Sequence, residues 1–188
     1  MPYQEKLIMH RALAFAAQAH HGQMRKGTDV PYIMHPFETA QILTKAGCSD
    51  EVIIAGLLHD TLEDTDTGTN EISAAFGLKV LGLVLSASED KNKSWEERKQ
   101  HTIDYLKSQA GQDEMLLACA DKLANLRSIR TEMSKDADGS IWQRFKRGKD
   151  KQKWYYKELI EALSPLKGYD MYDELIWFYD EVFGDKSE

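Results

Sequence analysis

The sequence predicts an all-α fold. Three observations lead there: apolar residues recur at helical intervals, helix-start and helix-stop residues punctuate the segments between them, and no stretch shows the alternation of a strand. Residues 4–20 are Ala-rich, with Leu7, Ile8, Leu13 and Phe15 as apolar positions. A polar loop with glycines near both ends, Gly22 to Pro31, follows. Pro36 suits the first turn of the next helix and Gly47 its stop. Ser49-Asp50-Glu51 opens a segment whose apolar run, Val52 to Leu58, is continuous enough to be buried and ends at His59-Asp60. A loop over 66–69 leads to a short helix at about 70–76, and an apolar helix at about 78–87 follows Gly77. Ser94-Trp95-Glu96-Glu97 is a capping box for a helix of about 95–109. Helices are expected at 112–133, at about 152–164 after a basic stretch, and at about 170–183 with Asp170 as its cap. No internal repeat or low-complexity segment interrupts this order.

Composition sets the frame for function. At 188 residues, 42% hydrophobic and 29% charged, the chain reads as one globular domain over 1–188 with a full core. It holds no apolar run near the roughly 20 residues that a membrane span needs, and its first residues show no signal-peptide pattern. Cys48 and Cys119 are too few for a disulfide framework, so a reducing, cytoplasmic setting is expected. A net charge of −7 argues against a nucleic-acid binder, which needs a basic face. A small anionic ligand remains open, held by a local basic pocket or through a metal.

Titratable groups then break the apolar pattern at three places. His59 and Asp60 end the buried run, an imidazole beside a hard carboxylate, and Glu63 and Asp64 lie one helical turn beyond Asp60. Three carboxylates on one face repel each other unless a cation sits among them; the alternative is a helix end running into a solvated acidic turn. Asp121 lies on an inward stripe with Leu117, Ala120 and Ala124, where a carboxylate needs a partner: a buried ion pair or a metal. Asn125 is one turn further on that face, and Arg127 and Ser128 continue its edge. His35 starts a helix and can be pinned by its turn. Together His35, His59, Asp60 and Asp121 would suit Mn²⁺, Fe²⁺ or Zn²⁺. His10, His20, His21 and His101 read as surface or packing residues.

These residues resemble the H…HD…D signature of the HD-domain metal-dependent phosphohydrolases. The surrounding text is more specific: His21-Gly22-Gln23-Met24-Arg25-Lys26-Gly27, Pro31-Tyr32-Ile33-Met34-His35-Pro36, His59-Asp60-Thr61-Leu62-Glu63-Asp64-Thr65, Phe76-Gly77, and Ala120-Asp121-Lys122-Leu123-Ala124-Asn125-Leu126-Arg127. Over about residues 5–165 it resembles the hydrolase domain of the RelA/SpoT family, and in length the stand-alone small alarmone hydrolases. The resemblance implies an HD-domain helical bundle that removes the 3′-pyrophosphate from ppGpp or pppGpp with one divalent ion, usually Mn²⁺. It implies that His35, His59, Asp60 and Asp121 hold the metal and that Glu63 and Asp64 activate or place the attacking water. It implies that Arg25 packs on the guanine base with Lys26 beside it, and that Asn125 and Ser128 face the nucleoside. The bifunctional enzymes usually carry His where this chain has Ala124, an exchange seen in the stand-alone hydrolases, and no synthetase domain follows. Alarmone synthesis is therefore not expected.

Charge dictates what else such a site needs. A pyrophosphate ester repels an anionic nucleophile, so a cation must acidify the water and neutralise the phosphorus, and a carboxylate must take the proton. Candidates for holding the other phosphates are Lys26, Lys122 and the basic stretch Arg144, Lys146, Arg147, Lys149, Lys151 and Lys153, which also reads as a solvated loop. Tyr155 and Tyr156 either close the pocket or belong to the core. The expected partner is a small nucleotide, with no nucleic acid or membrane; monomer and homodimer are both open. Other nucleotides (an adenine alarmone, a dNTP or the 2′-phosphate of NADPH) and a non-catalytic nucleotide-binding module are the competing functions.

Overall fold

The element that organises the bundle is a helix buried on every side. Asp50–Leu58 (α3) has no polar face after its first turn, and every residue from Val52 to Leu58 is buried. A helix apolar all round must be surrounded by others. Its neighbours are Pro2–Ala19 (α1), Met34–Lys45 (α2), Leu78–Ala87 (α6) and Gln112–Met133 (α8). The structure, a computed structural model, describes residues 2–135 and 140–184, with side chains from residue 7 onward. Among the described residues there is no strand; one isolated bridge pairs Met24 with Pro31 in the loop between α1 and α2.

Helices α2 and α3 form an antiparallel hairpin turned at Gly47, whose φ of +73° suits glycine. The hairpin brings the start of α2, His35, to the end of α3, His59. The two helices approach closely because Gly56 faces α2: a Cβ there would lie 2.6 Å from Leu43 Cδ1. After α3 the chain makes a one-turn helix, Thr61–Asp64 (α4), then Thr69–Phe76 (α5), with Gly77 at φ +90° turning it into α6. Trp95–Ser108 (α7) begins with the expected capping box: Ser94 Oγ accepts from Glu97 N at 3.3 Å, and Glu97 Oε2 accepts from Ser94 N at 2.9 Å. The long α8 runs through the bundle and packs on α2, α3, α6 and the last helix, Asp170–Phe183 (α10).

Two boundaries differ from the sequence pattern. Gly148–Ala162 (α9) starts four residues before the expected 152, following a 3₁₀ turn at Ser140–Arg144. Its basic first turns lie along aromatic rings rather than in a loop: Lys149 Nζ is 5.8 Å from the Trp142 ring centre and Lys151 Nζ is 5.9 Å from that of Trp154. Asp170 is the first residue inside α10 and Tyr169 takes the cap position, without a side-chain cap. Asp170 therefore faces the positive helix end as a first-turn carboxylate and not as the cap.

Leu58 is fully buried where α3 meets His59. Leu58→Ala should lower the free energy of unfolding by about 2–5 kcal/mol, read by urea denaturation.

Candidate metal centre and nucleotide pocket

His35, His59 and Asp121 bring three ligand atoms within 4.8 Å of one another, and Asp60 lies against the two imidazoles. His35 comes from the first turn of α2, His59 and Asp60 from the break between α3 and α4, and Asp121 from the middle of α8. His35 Nε2 lies 3.2 Å from His59 Nε2, 3.1 Å from Asp121 Oδ1 and 3.5 Å from Asp60 Oδ2. His59 Nε2 lies 3.2 Å from Asp60 Oδ2 and 3.7 Å from Asp121 Oδ1. Donors about 2.0–2.2 Å from a shared ion at right angles stand about 3 Å apart, so this donor set fits a divalent cation. The imidazoles are aimed accordingly. His59 Nδ1 donates to the Gly56 carbonyl at 2.8 Å, which turns the Nε2 lone pair inward. His35 and His59 are both buried, at 5% and 2% exposure.

The electrostatics of the cluster call for positive charge. Burial opposes charge on His59, yet the Asp60 and Asp121 carboxylates hold its pKa well above the ordinary imidazole value. Burial pushes the His35 pKa down instead, with its Nε2 3.2 Å from that of His59. Burial would raise both carboxylates, but the His59 charge holds Asp60 low and the Lys122 ammonium, 2.7 Å from Asp121 Oδ2, holds Asp121 well below the usual range. The carboxylates thus favour positive charge at this point. The ion-pair reading of Asp121 holds: one oxygen is paired with the half-buried Lys122, while the other faces the imidazoles. That second oxygen, Oδ1, also accepts from Asn125 Nδ2 at 2.7 Å, and Asn125 Oδ1 accepts from Arg25 Nη2 at 2.8 Å.

Beside the centre lies a cavity of about 360 Å³, a volume in the range of small-molecule sites. Arg25, Lys26, Asn125 and Ser128 all line it, with Lys99, Lys122 and Arg144 adding positive charge. Of the basic stretch, Arg144 reaches the cavity; Arg147 pairs with Glu96 at 2.9 Å on the surface. Arg144 also lies against Gly27, where a Cβ would meet its Cδ at 2.8 Å, so glycine lets the loop and this arginine close together. Tyr155 and Tyr156 are buried and form the cavity wall, being core and pocket together; burial pushes the Tyr155 phenol up to about 12.

Glu63 and Asp64 sit on α4 at the edge of the donor cluster. Glu63 Oε2 accepts from Glu89 N at 3.1 Å, and burial pushes its carboxyl up, with Glu89 and Asp64 adding to the rise. Asp64 Oδ1 accepts from Lys91 Nζ at 2.9 Å, and Lys91 also donates to the Glu63 carbonyl. Tyr32 Oη lies 2.8 Å from Asp60 Oδ2 and 3.3 Å from Asp64 Oδ2. Its ring carries Arg25, with the guanidinium carbon 5.6 Å from the ring centre. Sequence reasoning gave Tyr32 and Lys99 no role. Lys99 lies between Glu89, at 2.6 Å, and the Tyr155 ring, at 4.9 Å; Trp95, one turn before it, was the available signal for an inward face.

The model of the HD domain matches residues 12–146. This chain belongs to the HD-domain family. The match contains His35, His59 and Asp121, which could hold a metal ion, and metal dependence belongs to the HD domain. Among curated proteins, the HD chain is 42% identical over 121 residues to guanosine-3′,5′-bis(diphosphate) 3′-pyrophosphohydrolase MESH1 of Mus musculus, covering 63% of this chain and 67% of that one. It is 34% identical over 173 residues to guanosine-3′,5′-bis(diphosphate) 3′-pyrophosphohydrolase of Aquifex aeolicus, covering 86% of this chain and 23% of the longer relative. Among solved structures, lmo0812 of Listeria monocytogenes superposes with a TM-score of 0.73 at 40% identity, over 79% of this chain and 98% of that one. A metazoan orthologue of SpoT that hydrolyses ppGpp superposes with a TM-score of 0.78 at 28% identity, over 93% of this chain and 94% of that one.

Because Asp121 is both a donor to the centre and the partner of Lys122, Asp121→Ala and His59→Ala should each abolish stoichiometric binding of a divalent ion, which needs the full donor set. Elemental analysis after dialysis against metal reads the outcome.

Proposed function

We infer that this HD-domain chain is a metal-dependent hydrolase that removes the 3′-pyrophosphate from guanosine 3′,5′-bis(diphosphate), releasing GDP and pyrophosphate, or from its 5′-triphosphate counterpart, releasing GTP and pyrophosphate. The observation that carries the reading is the junction of a four-donor centre with a cavity lined by Arg25, Lys26, Asn125 and Ser128. Relatives that bear this activity in their names, and the similarity to the metazoan orthologue of SpoT, support the same substrate. His35, His59, Asp60 and Asp121 would hold the ion, and two imidazoles with two carboxylates and no thiolate suit Mn²⁺. When bound, it would supply charge neutralisation at the reacting phosphorus and a more acidic water.

The chain's own residues do the rest. Arg25, backed by the Tyr32 ring, offers a planar cation to the purine, with Lys26 beside it for a phosphate. Lys99, Lys122 and Arg144 add positive charge to the same cavity, where a substrate rich in phosphate needs it. Asn125 and Ser128 face the nucleoside. Glu63 or Asp64 takes the proton of the attacking water, and burial raises the Glu63 carboxyl above the ordinary glutamate value, which makes it the stronger base. The bond from the 3′-linked phosphorus to the 3′ oxygen breaks, and that oxygen leaves as a hydroxyl.

We read residues 1–188 as one such domain, working in the cytoplasm. Two free cysteines fit a reducing setting, and no helix among the described residues is long and apolar enough to cross a membrane. The net charge of −7 fits a nucleotide partner and not a nucleic acid.

Three outcomes test the reading. Chelator-treated protein should lose turnover of ppGpp and regain it best with Mn²⁺; full turnover by metal-free protein would end the assignment. Glu63→Gln and Asp64→Asn should keep the bound ion while lowering kcat by about 10²–10⁴-fold; unchanged kcat in both would remove the acidic pair from the chemistry. Arg25→Ala should raise KM for ppGpp by about one to two orders of magnitude with kcat largely kept, the mark of lost uniform binding.

A further inference from the structure

Asp64 is tied to the loop that carries Arg25 by two hydrogen bonds from different residues. Tyr32 Oη lies 3.3 Å from Asp64 Oδ2, and Gln23 Nε2 donates to the Asp64 backbone carbonyl at 2.8 Å. Both residues are themselves fixed. Gln23 Oε1 meets His20 Nδ1 at 2.8 Å, and Tyr32 N donates to the Gln23 carbonyl at 2.9 Å. The Tyr32 ring packs against His20, with ring centres 4.8 Å apart. The other side-chain partner of Asp64, Lys91, is 55% exposed on a flexible stem and can hold little in place. Helix α4 is a single turn of four residues, and the chain leaves it extended at Thr65. So short a helix cannot fix the direction of a side chain by itself.

We propose that Tyr32 and Gln23 are positioning residues that clamp Asp64 at a set distance from the donor centre. The Tyr32 hydroxyl touches both Asp60, at 2.8 Å, and Asp64, so one phenol spaces a metal-binding oxygen from an acid–base carboxylate. A phenol has one proton to donate and an oxygen that packs between both groups. The proton serves one carboxylate at a time, Asp60 at 2.8 Å or Asp64 at 3.3 Å, and the Gln23 bond holds Asp64 in either case. Gln23, facing Tyr32 across the pair beside the Met24–Pro31 bridge, fixes the backbone of the same residue. A proton acceptor must be held within a few tenths of an ångström of its working position, and this clamp meets that demand. Because Arg25 sits in the same loop, the nucleoside contact and the acid move as one unit.

The inference rests on the reading that Asp64 acts on the attacking water, and a double-mutant cycle separates the two. Tyr32→Phe keeps the ring and removes the hydroxyl; Gln23→Met keeps the length and removes the donor. Kinetics are measured at saturating Mn²⁺, with metal content checked by elemental analysis and folding by circular dichroism. Each single variant should lower kcat by about ten- to hundredfold with KM for ppGpp within about threefold. On an Asp64→Asn background each should cause little further loss, since residues acting through one group are not additive. Unchanged kcat in Tyr32→Phe and Gln23→Met, or an equal loss on the Asp64→Asn background, would overturn the clamp. Should Tyr32→Phe fail to fold, Gln23→Met decides alone. Unchanged kcat in Asp64→Asn would instead sink the underlying assignment of Asp64.

Discussion

Two imidazoles and two carboxylates with contacts of 3.1–3.7 Å between them cannot be stable without positive charge in their midst, and the architecture is built to supply that place. Asp121 is half-buried on α8 and is satisfied on three sides, by Lys122, by Asn125 and by the imidazoles. His59 is fixed through Gly56, the same residue whose missing side chain lets α2 approach α3. The close crossing brings His35 to His59, and the end of α3 at Leu58 leaves the Gly56 carbonyl to orient the ring. A larger residue at position 56 would push against Leu43 and disturb both.

The centre and the cavity are joined by polar contacts as well as by proximity. Arg25 reaches Asp121 through Asn125, and Tyr32 carries Arg25 on its ring while its hydroxyl meets Asp60 and Asp64. The loop between α1 and α2 is thus in touch with a donor from α8, a donor from the α3–α4 break and an acid from α4. A ligand that seats on Arg25 meets a surface already connected to the chemistry. This is why a loop with glycines at Gly22 and Gly27, each at positive φ, can carry exact placement: its tip turns freely, but its side chains are pinned.

Much of this was legible in the sequence where the signal is local. The continuous run Val52–Leu58 announces a buried helix, and the capping box at Ser94–Glu97 marks the start of α7. The stripe of Leu117, Ala120, Asp121 and Ala124 exposes Asp121 as an inward carboxylate. What the sequence does not display is contact between distant residues. Tyr32 stands in a quoted motif, yet its role depends on Asp60 and Asp64, which lie 28 and 32 positions away. Lys99 reads as one more charge on a polar helix until Glu89 and Tyr155 surround it. The start of α9 at Gly148 escapes the pattern because Lys149 lies on Trp142, outside the helix, and Lys151 on Trp154 one turn along it, contacts that outweigh a polar, loop-like composition.

The central claim is that one cation belongs where His35, His59, Asp60 and Asp121 converge. Anomalous diffraction from crystals soaked in Mn²⁺, recorded at the manganese absorption edge, tests it most directly. The account predicts a single strong peak at bonding distance, about 2.0–2.2 Å, from both Nε2 atoms and from an oxygen of each aspartate. A peak elsewhere in the molecule, or none at this point at saturating Mn²⁺, would contradict it.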